Sequence, residues 1–99
     1  MEITDELLVN FKKRMKISHS IEDDTLKDIL SASVEDIKTK CGYFTVESNE
    51  RARELVFERS RYIYNDALEF FNDNFASQIT SLALELYMPS GEIADEAKV

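Results

Sequence analysis

Two glycines, one proline, one cysteine and one histidine are all that this 99-residue chain has of those residues. Each shortage removes a class of answer. So few Gly and Pro cannot supply the repeated tight turns of an all-β fold, so long helices are the expectation. A lone cysteine excludes an internal disulfide and fits a reducing cytosol. No apolar run approaches the roughly 20 residues of a membrane span. The opening MEITDELL has neither the basic nor the apolar region of a signal peptide. Cations are also scarce, with 12 Lys and Arg against 20 Asp and Glu and a net charge of −8. High-affinity binding to duplex DNA or an anionic membrane draws on basic side chains, so the field here has the wrong sign.

Chemical signatures are missing too. There is no P-loop, no glycine-rich dinucleotide turn and no Cys/His metal spacing. His19 precedes a helix cap with no nucleophile or second ligand near it, and is expected to be exposed. Cys41 falls on the apolar stripe of a helix, the usual place of an inert buried thiol. Glu22, Asp23 and Asp24 are consecutive, so on a helix they point apart; no calcium-loop spacing accompanies them, and dipole complementarity is their expected role. No catalytic residue, cofactor or metal ligand is therefore assigned, and an enzyme is not expected.

What is present reads as one folded domain, 43% hydrophobic and 32% charged. A chain of this size buries about two-thirds of the surface it would expose unfolded. The spacing predicts an all-α bundle with helices over 5–15, 20–41, 50–72 and 75–87, and a flexible polar tail over 88–99. Thr4 is placed to cap the first helix, whose stripe is Leu7, Leu8, Phe11 and Met15. Lys12, Lys13, Arg14 and Lys16 crowd its C-terminal end as solvated charges or charges facing an acidic neighbour. SIED gives the second helix a capping-box start at Ser20, and Gly42 is a natural residue beyond its end. Tyr43–Val46 favours an extended backbone, Ser48 or Asn49 caps the third helix, and Asn72–Asn74 breaks it.

The third helix poses the main question. YIYNDALEFFNDNF holds five of the chain's ten aromatic residues. At ~100° per residue, Ala52, Val56, Ile63, Ala67, Phe70 and Phe71 gather on one face. Of these, Val56, Ile63, Ala67 and Phe70 are expected in the protomer's own core. Phe57, Tyr64 and Leu68 flank the face on one side, and Leu55 and Tyr62 on the other. The apolar arc spans roughly 240°, well beyond the stripe of an ordinary surface helix. Either the protomer sandwiches this helix on its own, or a neighbouring chain covers one flank. In the second case Phe57, Tyr62 and Tyr64 meet the neighbour, with Arg59 and Asp66 supplying polar contacts at the edge.

The order of these features resembles the head–tail connector (adaptor, DNA-packaging or head-completion) proteins of tailed bacteriophages. The resemblance is carried by KISHSIEDDTLKDILSASVEDIKTKCGY, then RARELVFERSRYIYNDALEFFNDNF, then ASQITSLALEL, and spans roughly Ile3–Tyr87. It implies a structural protein of the virion neck, made in the bacterial host cytoplasm. It further implies a ring, commonly dodecameric, beneath the portal protein, which extends the DNA channel and presents a surface to the next neck or tail-completion protein. DNA would pass without specific binding, helped by an acidic lumen. Tyr87, Met88 and Ile93 are the candidates for portal or neck contact. The competing expectation is a small acidic helical regulator that binds a host or phage protein as a monomer or dimer.

Overall fold

The computed structural model describes residues 3–87. Five α-helices and one 3₁₀ turn succeed one another along the chain: α1 (Asp5–Met15), α2 (Asp23–Cys41), α3 (Glu50–Tyr64), the 3₁₀ turn Leu68–Phe70, α4 (Phe71–Asn74) and α5 (Ala76–Tyr87). No strand occurs among the described residues, and the chain is a small all-α bundle. The expected tail, with Met88 and Ile93, lies outside the described residues.

Local chemistry accounts for most helix ends. Thr4 Oγ1 accepts from the Leu7 amide at 3.1 Å, and Asn49 Oδ1 accepts from the Ala52 amide at 2.9 Å. Both are side-chain caps that satisfy an otherwise orphaned donor. Gly42 closes α2 at φ 116°, a region that disfavours any side chain. The Ser20 cap, in contrast, does not form. Ser20 to Glu22 makes a turn in which the Asp23 amide donates to the Ser20 carbonyl at 3.2 Å, and the helix starts at Asp23. Glu22 occupies the cap position without a side-chain cap, its Oε1 accepting from Tyr64 Oη at 2.7 Å.

The larger departure is in the third helix, which stops at Tyr64 instead of running to residue 72. Asp66 takes a left-handed conformation, φ 59°. The Ala67 amide donates to the Tyr62 carbonyl at 2.8 Å and the Asp66 amide to Ile63 at 3.0 Å. Together these form a Schellman closure, with Asp in the place usually held by Gly. A second bend at Phe75 separates α4 from α5. Tyr43–Val46 forms no strand; Phe44 and Val46 instead turn inward and pin the α2–α3 connection to the core.

The core lies where α2 meets α3, with α1 and α5 packed against them. Phe11, Leu26, Leu30, Val34, Ile37, Leu55, Val56, Phe71 and Leu82 have essentially no exposed surface. Burying each such side chain stabilises the fold by about 1.5–3 kcal/mol before entropy is counted. Ser33 and Ser60 face each other within this packing, both fully buried, with Ser60 Oγ donating to Ser33 Oγ at 3.0 Å. Their small side chains let α2 and α3 approach closely while leaving no hydroxyl unsatisfied.

Candidate functional site

The five residues expected at a subunit contact have different fates in the protomer. Phe57 is buried, its ring centroid 5.7 Å from that of Phe11, and Arg14 lies 5.2 Å above it. It has almost no surface left to offer a neighbour, because α1 crosses the flank that the sequence leaves open. Arg59 turns inward: Nε lies 3.1 Å from Asp36 Oδ2, and Nη1 donates to Ser33 Oγ at 3.2 Å. Asp66 forms the turn and is exposed. Tyr62 and Tyr64 are half-buried, and both hydroxyls are engaged, Tyr64 donating to Glu22 and Tyr62 accepting from Asn74 Nδ2 at 2.9 Å. The bond to Glu22 raises the Tyr64 phenol above its ordinary value.

The faces are also partly exchanged. Of the four residues expected in the core, Val56 is buried, Ile63 and Ala67 are half-buried, and Phe70 is 56% exposed. The break at Asp66 redirects the downstream chain, so a helical wheel continued past Tyr64 puts Phe70 inside although it is exposed. Phe71, expected on the same face, does take an interior position, stacked on Phe75 at 5.0 Å and met edge-on by Tyr62 at 5.7 Å.

Among the described residues Val9, Ile21 and Tyr43 are exposed apolar side chains, and two further uncovered patches lie past the end of α3. One is at the break, where Leu68 and Phe70 are exposed and a cleft of about 240 Å³ is lined by Arg61, Tyr62, Asn65, Ala67, Phe70 and Asn74. Its Tyr62 floor is held by Phe71 and Phe75 below and by Asn74 at the side. Arg61 lies 5.2 Å over the Tyr62 ring and is the one charged residue of the lining. The other patch is at the far end of α5, where Leu84 and Tyr87 are 53% and 77% exposed. Leu84 and Tyr87 share a helix face by their spacing. The exposure of Tyr87 is compatible with its candidate role; that of Phe70 has no signal in the sequence pattern.

Two of the four cations clustered at the end of α1 are paired within the chain. Lys12 pairs with Asp23 at 2.6 Å, and Arg14 grips Glu54 with two bonds of 2.8 and 2.9 Å while also reaching Glu58 at 2.8 Å. Arg61 closes the chain of charges on Glu58 at 2.7 Å. The hydrogen bond from Arg14 holds the Glu54 carboxyl below its usual 4.5, despite partial desolvation. A depressed carboxylate contributes stability above its unfolded pKa and loses it as pH falls through the folded one. The stability gap between wild type and Glu54→Gln should therefore be constant near neutrality and close on acidification from pH about 5 to 3. Melting temperatures across that range check this, and a gap that widened in acid would contradict it.

Cys41 is buried, its Sγ donating to the Ile79 carbonyl at 3.4 Å, and burial pushes the thiol up despite nearby Lys40. His19 is exposed, as expected of its place before α2. Among the described residues no group of three or more His, Cys, Asp or Glu side chains could hold a metal ion, and no helix is long and apolar enough to cross a membrane. The chain matches no protein-family model, no curated protein and no solved structure.

Proposed function

We propose that this chain is a subunit of a homo-oligomeric ring, and that the ring is the head–tail connector of a tailed bacteriophage. In that reading it sits in the virion neck beneath the portal protein, extends the DNA channel and receives the next neck or tail-completion protein. The observation that carries the assembly reading is the separation of the two uncovered patches. Phe70 ends the 3₁₀ turn and Tyr87 ends α5, with α4 and the whole of α5, itself ~18 Å long, between them along the chain. Two different patches at opposite ends suit a head-to-tail contact, which generates a ring when its rotation closes. The connector assignment rests on the sequence resemblance, and the net charge of −8 suits a channel that DNA crosses without being held.

Mass measurement by light scattering, alone and with portal protein, tests this, with electron microscopy of any large species. A closed ring of many subunits is expected, alone or on the portal. A species that stops at a dimer in both conditions would favour the acidic regulator instead.

A further inference from the structure

The end of α3 is held in a conformation that its sequence does not favour. Asp66 sits at φ 59°, a region that Asp tolerates better than most L residues but in which it is still strained. It is exposed, and among the described residues no group pairs with its carboxylate. Apolar spacing runs straight across the same point, through Ile63, Ala67 and Phe70, as it would in one unbroken helix. Leu68 and Phe70, just beyond the break, are left 40% and 56% exposed. The chain past the hinge, residues 68–87, is an arm that docks back on α2 and α3. Its Phe71 and Phe75 rings meet Tyr62 of α3, and its Ile79 carbonyl accepts from Cys41 of α2.

We propose that the chain associates with a second copy by exchanging this arm. Residues 65–67 straighten into a continuation of α3, and residues 68–87 dock on α2 and α3 of the other copy. A second copy presents the same Tyr62 and Cys41, so the arm makes the same contacts in the closed and exchanged forms. The balance between the two forms is therefore set at the hinge. Straightening releases Asp66 from the left-handed region, and a short hinge under strain is where such exchange arises. Leu68 and Phe70 flank the crossing point, so two copies running side by side there cover apolar surface that the closed form leaves in water. The inference deepens the ring reading by naming the segment that passes between subunits. Arms handed on in one direction close a ring, and arms exchanged mutually close a dimer.

Full-length Asp66→Ala and Asp66→Gly chains push the hinge in opposite directions. Alanine favours a helix and disfavours a φ of 59°, whereas glycine accepts it. Asp66→Ala should assemble at lower concentration than wild type, and Asp66→Gly only at higher concentration. Ile79→Cys, added to each chain, reports whose α5 covers Cys41, because residue 79 lies against that thiol. After refolding and oxidation, a docked arm closes a disulfide within its own chain, and an exchanged arm closes one between chains. Covalently joined chains on a denaturing gel are expected from assembled Asp66→Ala. Assembly with closure inside single chains, or with none, leaves the ring reading standing and overturns the exchange. So does an Asp66→Ala protein that stays monomeric where wild type assembles. If wild type and Asp66→Ala are both monomeric at every concentration, with and without portal protein, exchange and ring fall together.

Discussion

Phe71→Ala should destabilise the protomer by about 3–5 kcal/mol, the range for deleting a buried aromatic ring, while Phe70→Ala should leave its stability within about 0.5 kcal/mol. Phe71 is 1% exposed and is the buried residue of α4, a helix of four residues. So short a helix has no stability of its own and exists because its side chains are docked. Removing the ring leaves Tyr62 and Phe75 facing a cavity and frees α4 from α2, where Lys40 also holds it through Asn72 Oδ1 at 2.6 Å. Chemical denaturation followed by circular dichroism measures both variants. Equal losses for the two would mean that Phe70 is also interior, and the cleft beside it would not exist.

Arg59→Glu is expected to be as damaging, by about 3–5 kcal/mol, because it breaks an ion pair and leaves like charges together. The Arg59 side chain is 14% exposed and Asp36 is 29% exposed, with Asp36 Oδ2 between Arg59 at 3.1 Å and Lys40 at 2.8 Å. That oxygen makes these ion-pair contacts without a well-aligned hydrogen bond, so it depends on the cations. A glutamate at position 59 would face Asp36 and leave Ser33 without its second donor. From the sequence alone, the same change is expected to spare the fold and abolish assembly. A melting temperature within a few degrees of wild type would return Arg59 to the surface.

How far the sequence could be read depended on the range of the forces involved. The first helix begins at Asp5 and ends at Met15 as its Thr4 cap and apolar stripe require, since both are set within one turn of backbone. The Asn49 cap and the buried Cys41 arise from equally local patterns. The end of α3 does not. Tyr62 to Phe75 keeps a helical spacing of apolar residues, and an Asp in the left-handed region is a weak signal beside it. What decides the break is the docking of Phe71 and Phe75 against Tyr62, a contact between residues that a straight helix would hold apart. The same limit applies to the candidate contact residues. A wide apolar arc says that something covers α3, but not that α1 covers Phe57 and α2 claims Arg59.

The hydrogen bond between Cys41 and Ile79 has a further consequence. Cys41 ends α2, and the helix that covers it is α5, the last of the described helices. Until α5 is complete, the nascent chain carries an open thiol. In the finished protein that thiol reacts only when α5 lifts away. Its alkylation rate is thus an internal clock for undocking of α5, readable without an engineered label.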